Sequence, residues 1–202
     1  MIHLFKKGIN PSSSTLLLLH GTGGDEKDLL PLAHVIDKDA AILSVRGNIL
    51  ENGMPRFFKR LAEGVFDEES LKTETENLYH FIKKSAEQYG FDSTNVIALG
   101  YSNGANIAAS LLYHYPNVLN GAILHHPMVP LRNIELPDLT NTPIFIGAGI
   151  NDPICPAEES KELKNTLEAA GAEVTIEWGN QGHSLTQLEV TAAANWYRRQ
   201  FY

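Results

Sequence analysis

The sequence predicts an α/β fold: an open, doubly wound, mostly parallel sheet of about six to seven strands with helices on both faces. Short apolar runs recur along the chain and alternate with segments of helical periodicity. Most of these runs lack the polar alternation of a half-exposed strand, which indicates strands covered on both faces. Regular alternation of strands and helices is typical of such sheets.

The first strands and the first helix come from the N-terminal quarter of the chain. Continuous apolar runs at 15–20 and 40–45 predict two buried strands. Between them, apolar residues at helical spacing predict a short helix over 26–37, capped near Asp25. Residues 1–10 contain no sustained apolar segment and yield no strand prediction.

Residues 46–66 show no clear period. They contain three glycines, a proline and paired phenylalanines, so we expect a long, partly ordered excursion over the surface. Loops of this length in compact domains are more often functional than accidental. A helix then follows from about 67–70 to Tyr89, with acidic residues in its first turn and Gly90 at its end.

The second half of the chain alternates strands and helices in the same way. The strand nearest the C-terminus alternates polar and apolar residues, which suits a position near the edge of the sheet. Strands are predicted at 96–100, 121–125, 143–149 and 174–178, and helices from 103, over 157–170 and from Ser184 to about Phe201.

Composition limits the classes of partner. The chain has 202 residues, which fits one domain spanning 1–202. Its 16 Lys and Arg against 24 Asp and Glu give a formal charge of −8, which argues against nucleic acid or an anionic membrane surface. The apolar run Leu16 to Leu19 is too short for a bilayer span or a typical signal core, so we expect a cytoplasmic protein without stable membrane anchoring. One cysteine, Cys155, cannot form an internal disulfide.

The segment Gly100-Tyr101-Ser102-Asn103-Gly104 is the strongest functional motif. It joins a predicted strand directly to a predicted helix. A serine on so tight a turn has strained backbone geometry, and glycine two positions to either side removes a steric clash. The turn exposes the serine oxygen beside the free N–H groups of the helix start. Ser102 is therefore a candidate nucleophile.

A serine nucleophile needs a base and an acid, and both are available at other strand ends. The carboxyl ends of parallel strands gather at one edge of the sheet, so residues following them can meet. His183 follows the strand at 174–178 and is the candidate base, which a carboxylate must orient. Asp152 follows the strand at 143–149 and is the candidate acid, with Asp138 and Glu158 as alternatives.

A glycine-rich loop follows the first predicted strand, His20-Gly21-Thr22-Gly23-Gly24. It lacks the Gly-Lys-Ser/Thr of a P-loop and the spacing of a dinucleotide fingerprint. We interpret it as half of an oxyanion hole. The backbone N–H groups of Thr22 and Asn103 would then stabilise a tetrahedral intermediate.

These motifs give the chain a family resemblance. It resembles small α/β-hydrolases of the carboxylesterase/phospholipase type, and is similar to acyl-protein thioesterases, to dienelactone hydrolases and above all to bacterial hydrolases linked to hydroquinone and quinone stress. The resemblance implies a serine hydrolase without a cap domain, a metal or an organic cofactor. Dienelactone hydrolases have a cysteine where this chain has Ser102, which weakens that comparison. The matching segments are LLLLHGTGGDEKDLLPLA, VRGNILENGMPRFFKR, EGVFDEE, ALGYSNGANIA, GINDPICP and GNQGHSLT.

The excursion at 46–66 is the leading candidate for the rim of a substrate pocket. We expect an apolar wall and anion contacts there, although the phenylalanines could instead anchor the loop to the core and the arginines could pair with acids. His126, like His125, stands at a strand end and could line the pocket or be structural, and neither has the spacing of a metal site. The candidate rim residues are Arg46, Met54, Arg56, Phe57, Phe58, Arg60 and His126.

The leading functional hypothesis is hydrolysis of carboxylic esters with small or medium acyl groups through an acyl-enzyme on Ser102. A lysophospholipase or acyl-protein thioesterase is the alternative within the class. From other classes, a non-catalytic binder of a small ligand and a thiol redox role for Cys155 stay open. A small-molecule ester is the expected partner, and a homodimer is one option for assembly.

Overall fold

A computed structural model describes residues 1–10 and 13–202. A central sheet is flanked by five helices in this part of the chain, and two short hairpins lie between its third strand and the second helix. The strands are β1 (His3–Lys6), β2 (Thr15–Leu19), β3 (Ala41–Val45), β4 (Ile49–Glu51), β5 (Met54–Arg56), β6 (Arg60–Ala62), β7 (Val65–Phe66), β8 (Val96–Tyr101), β9 (Gly121–His125), β10 (Pro143–Gly149) and β11 (Glu173–Gly179). The helices are α1 (Leu30–Ile36), α2 (Glu68–Tyr89), α3 (Asn103–His114), α4 (Ala157–Ala169) and α5 (Gln187–Phe201).

The central sheet has seven strands in the order β1-β3-β2-β8-β9-β10-β11. All neighbours are parallel except β1, which pairs antiparallel with β3 and places His3 opposite Val45. The predicted doubly wound, mostly parallel sheet is thus confirmed. β1 was not predicted, because three half-buried residues and one exposed residue at a sheet edge carry too little apolar signal.

The sheet is covered on both faces, as β2 shows most clearly. Leu16 to Leu19 are completely buried, and alternation along the strand directs them to opposite sides. Leu17 and Leu19 pack in the core that includes residues of α2, α3 and α4. Leu16 and Leu18 pack in the second core, against α1 and α5. This two-sided burial explains why the strand reads as an unbroken apolar run.

Helix boundaries follow local capping chemistry. The Asp67 carboxylate accepts a hydrogen bond from Ser70 N–H at the start of α2, and Gly90 ends that helix with a left-handed φ of 72°. The first helix was predicted to start near Asp25, but α1 begins at Leu30. The carboxylate of Asp25 instead accepts from Lys27 N–H at 2.7 Å and stabilises a turn.

In the described part of the chain, no helix is long and apolar enough to cross a membrane.

The segment 46–66 folds as two hairpins, β4–β5 and β6–β7. The first hairpin turns at Asn52-Gly53, where both residues have positive φ values of 53° and 81°. Phe57 and Phe58, between the hairpins, are 1% and 0% exposed and belong to the core. The predicted apolar pocket wall is therefore wrong for these two residues, because they anchor the segment to the sheet.

Candidate active site

Ser102 lies at the apex of the turn between β8 and α3. Its φ of 52° and ψ of −114° are strained for a residue with a side chain. Its N–H donates to the carbonyl of His125 at 2.8 Å, which ties the turn to the neighbouring strand. A methyl group on Gly104 would collide with the Leu19 carbonyl, and one on Gly100 would lie 2.7 Å from Ala105 N. The structure therefore requires both glycines of the motif.

Gly104→Ala should be strongly destabilising. The clash involves main-chain atoms of β2, which cannot move without disturbing the centre of the sheet. We expect the free energy of unfolding to fall by about 3 kcal/mol or more, measured by chemical denaturation. Gly179→Ala is the matched control, since its added methyl group would approach other atoms no closer than 3.9 Å. Equal losses in the two variants would contradict the steric explanation.

Ser102, His183 and Asp152 form a continuous hydrogen-bonded chain. His183 Nε2 lies 2.9 Å from Ser102 Oγ, and His183 Nδ1 lies 2.7 Å from Asp152 Oδ2. The Tyr101 hydroxyl donates to the His183 carbonyl at 2.6 Å and fixes the loop that carries the histidine. With its proton on Nδ1, His183 can accept the serine proton on Nε2. The sequence placed these residues at three strand ends, and the structure brings them together.

The two alternative acids lie elsewhere. Asp138 accepts hydrogen bonds from Thr140 N–H and Oγ1–H in an exposed turn, and Glu158 is exposed and 3.7 Å from Lys161. Of the three candidate acids, only Asp152 contacts His183.

Asp152 is held as an ionised carboxylate. Its side chain is fully buried, which favours the neutral acid, but hydrogen bonds outweigh this effect. Cys155 N–H and Ile154 N–H donate to Oδ1 at 2.9 and 2.8 Å, while two imidazoles face Oδ2. These interactions together hold the pKa of Asp152 below its ordinary value. The carboxylate can therefore stabilise a positive charge on His183.

The two candidate oxyanion residues lie beside Ser102 in the same pocket. Asn103 opens α3, where first-turn N–H groups have no intrahelical acceptor. The side chains of both residues hold the hairpin segment: Thr22 Oγ1 accepts from Arg56 Nη1 at 2.6 Å, and Asn103 Oδ1 accepts from Phe57 N–H at 2.7 Å. Their backbone N–H groups can serve as donors while the side chains fix the pocket wall.

A pocket of about 340 Å³ opens at Ser102 and is lined partly by the hairpin segment. Of the seven candidate rim residues, Arg56 and Arg60 line it, whereas Arg46, Met54, Phe57, Phe58 and His126 do not. Arg46 pairs with Glu26 at 2.6 Å, and Met54 packs near Gly23. His126 is buried against carboxylates. Besides these two arginines, the segment contributes Glu63, Gly64 and Phe66, and other elements contribute Met128 and Ile154.

The sequence interpretation missed Glu189. This buried residue of α5 contacts His125 Nδ1 through one carboxylate oxygen and His126 Nε2, at 3.2 Å, through the other. A signal was available, because Glu189 shares the buried face of its helix with Ala193 and Trp196. A charged residue on an apolar stripe needs a buried partner.

Two further features concern thiol chemistry at Cys155 and metal binding at the cluster of His126, Asp152 and His183. The Cys155 thiol is buried and donates to the His126 carbonyl at 3.2 Å, and burial raises its pKa, so the reactive thiolate is disfavoured. Ligand-type atoms of His126, Asp152 and His183 converge within 4.8 Å. Hydrogen bonds between these side chains account for the convergence.

Comparison with known proteins identifies this architecture. A mostly parallel sheet with a serine, a histidine and an aspartate meeting at its strand ends is the arrangement of an α/β-hydrolase. The family model for phospholipases and carboxylesterases matches residues 4–199. The chain belongs to this family and is a hydrolase.

Three relatives show how close the similarity is. MhqD of Bacillus subtilis (strain 168), whose name describes a hydrolase, is 59% identical over 198 residues and covers 98% of each chain. A Bacillus cereus carboxylesterase structure is 59% identical, with a TM-score of 0.98 over 98% of this chain and 94% of that chain. The structure of YahD with malic acid is 37% identical, with a TM-score of 0.94 over 98% of both chains. The predicted fold and family resemblance are confirmed.

Proposed function

We propose that the protein is a serine carboxylesterase that forms an acyl-enzyme on Ser102. The hydrogen-bonded chain from Ser102 Oγ through His183 to Asp152 carries this proposal. A non-catalytic binder would not need all three groups in this order. The Bacillus cereus relative named as a carboxylesterase supports the same activity.

The geometry suggests the following sequence of steps. His183 Nε2 takes the proton of Ser102 as Oγ attacks the ester carbonyl, and the backbone N–H groups of Thr22 and Asn103 stabilise the oxyanion. Collapse of the tetrahedral intermediate breaks the bond to the alcohol, which leaves with the proton from His183. Water then attacks the acyl-enzyme, giving its proton to His183, and release of the acid returns a proton to Ser102. Asp152 holds the imidazole orientation throughout.

A fluorophosphonate probe tests the nucleophile directly. The folded protein should gain one covalent adduct, located at Ser102 by peptide mass spectrometry, and lose ester hydrolysis in proportion. The Ser102→Ala variant should gain none. An unlabelled, folded wild-type protein would overturn the hydrolase mechanism and favour a ligand-binding role.

We further propose that the preferred esters carry a carboxylate. Arg56 and Arg60 both line the pocket, and Arg56 is only 4% exposed. The two guanidinium groups share one carboxylate, that of Glu51, at 3.2 and 2.9 Å. Two guanidinium groups on one carboxylate leave an excess of positive charge at the buried Arg56, which favours an anionic ligand there. The Glu63 carboxylate also lines the pocket, but Glu63 is exposed, so solvent screens its charge. The binding of malic acid, a dicarboxylate, by the relative YahD is consistent with this preference.

Arg60→Gln should separate charge recognition from catalysis. Arg60 is partly exposed, so the variant should fold, and it removes one of the two cations. We expect KM to rise about tenfold for a hemisuccinate ester, with kcat little changed. The control substrate is the corresponding methyl-capped neutral diester. Equal effects on both substrates would contradict an anion subsite.

Long-chain lipid or acyl-protein substrates are the second candidate. Three large apolar side chains at the two hairpins are exposed to solvent, and they could contact an acyl chain outside the pocket. Comparing kcat/KM for a short acyl ester and a long-chain lysophospholipid distinguishes the candidates. A strong long-chain preference would favour this alternative over the small-ester proposal. The exposed residues are Leu50, Leu61 and Val65.

A further inference from the structure

Asp152 is shared by two imidazoles. Its Oδ2 atom lies 2.7 Å from His183 Nδ1 and 2.8 Å from His126 Nδ1. The ring centroids of the two histidines are 5.1 Å apart. The steps proposed above use only His183, so they leave the second imidazole without a role.

Both ring nitrogens of His126 face carboxylates. Nδ1 faces Asp152, and Nε2 lies 3.2 Å from Glu189 Oε2. A neutral imidazole has one N–H and could donate to only one of them, whereas an imidazolium donates to both. Burial acts to lower the pKa of His126, but hydrogen bonds and charge attraction from Glu189 and Asp152 raise it overall.

Glu189 supplies the second negative charge. Burial opposes its ionisation, but hydrogen bonds from His125 and His126 bring its pKa down to about 2. A methyl group on Gly147 would collide with the Glu189 carboxylate, so that glycine makes room for it. The buried cluster therefore places the His126 imidazole between two carboxylates.

The backbone places His126 in this position at a conformational cost. His126 follows β9 with a left-handed φ of 53°. Its N–H donates to the Gly147 carbonyl at 2.7 Å, and its side chain is 2% exposed. The fold thus holds this ring rigidly against Asp152 and away from solvent.

We propose that His126 is a positively charged positioning residue, held by Glu189, which orients Asp152 and keeps His183 neutral at lower pH than Asp152 alone would allow. A permanent cation near His183 opposes protonation of that ring by charge repulsion. His183 would then still be able to accept the serine proton at mildly acidic pH. This inference rests on the proposed esterase mechanism, in which neutral His183 takes the serine proton.

Two other groups that face the histidines, a phenol and a thiol, do not supply this charge. Tyr101 packs against both rings, and Cys155 bonds to the His126 carbonyl. Burial, together with the nearby Asp152 charge, raises the pKa of both groups, so both stay neutral. His125 contacts Glu189 through Nδ1, and its Nε2 is buried with no partner among the described residues.

His126→Asn tests the proposal. Asparagine tolerates the left-handed backbone and can place an N–H near the former Nδ1, so it removes the charge while keeping a donor to Asp152. We expect the acid limb of the kcat/KM profile to move to higher pH by about one unit. The control, His125→Asn, makes the same exchange at the neighbouring histidine, whose ring contacts Glu189 rather than Asp152, and should leave that limb unmoved. An unmoved limb in a folded His126→Asn protein, or equal shifts in both variants, would overturn the proposal.

A second measurement does not depend on the variants folding. In wild-type protein labelled with ¹⁵N-histidine, NMR should show protons on both ring nitrogens of His126 at about pH 7.5. A bare nitrogen on His126 at that pH would refute the charge assignment. Fluorophosphonate labelling of Ser102 in the same sample separates the two proposals. Normal labelling with a neutral His126 overturns this inference alone, whereas absent labelling overturns the proposed function.

Discussion

Ser102→Ala is expected to lower kcat for ester hydrolysis by about 10⁶-fold, to the level left by binding and oxyanion stabilisation. His183→Ala should have a similar effect, because without a base the hydroxyl is not an effective nucleophile. The double variant should be no slower than either single variant, since the two side chains act as one unit. Steady-state hydrolysis of a chromogenic short acyl ester measures all three.

The structure also makes Ser102→Ala a clean test. The serine side chain caps no helical N–H, and alanine keeps the main-chain bond to His125. Thermal unfolding should therefore change little, which separates loss of chemistry from loss of fold. Substantial turnover by a well-folded Ser102→Ala protein would contradict the acyl-enzyme mechanism.

Asp152→Asn should reduce kcat by about 10⁴-fold. Both carboxylate oxygens accept hydrogen bonds, from two backbone N–H groups on one side and two imidazoles on the other. An amide has a single oxygen, so its NH₂ group must face one of these pairs of donors. If the NH₂ group faces the imidazoles, it favours the His183 tautomer that has no proton on Nδ1 and carries its proton on Nε2. In that tautomer, Nε2 cannot accept the serine proton.

The matched control for this variant is Asp138→Asn, at the alternative acid in an exposed turn. It should leave ester turnover unchanged. Nearly normal activity in Asp152→Asn, or a large loss in Asp138→Asn, would show that Asp152 is not the acid that orients His183.

The fold was predictable where burial is two-sided. Runs such as Leu16 to Leu19 are apolar because both faces of the sheet are covered, so the pattern itself indicates a buried sheet between layers of helices. The first strand, β1, was missed because it is short and lies at an edge. The hairpin at Asn52-Gly53 could have been found, since that dipeptide favours the positive φ values of a tight hairpin turn.

The candidate site also contains residues that the sequence predicts well and residues that it does not. Ser102, Asp152 and His183 were found because each follows a strand, and parallel strands bring their carboxyl ends together. The rim was harder to predict, because an aromatic pair in a loop can face either a pocket or the core. The Phe57 N–H donates to Asn103, which is 46 residues away in the chain. Such long-range contacts leave no local pattern.

Hydrogen bonds attach the hairpin segment, residues 46–66, to the loop and the turn that flank Ser102. Phe57 N–H is bonded to Asn103, and Arg56 is bonded to Thr22, so one wall of the pocket is attached at both candidate oxyanion residues. A fluctuation that detached this wall would also release the groups expected to stabilise the transition state. Amide hydrogen exchange at Phe57 would therefore report how often the site is disassembled in solution.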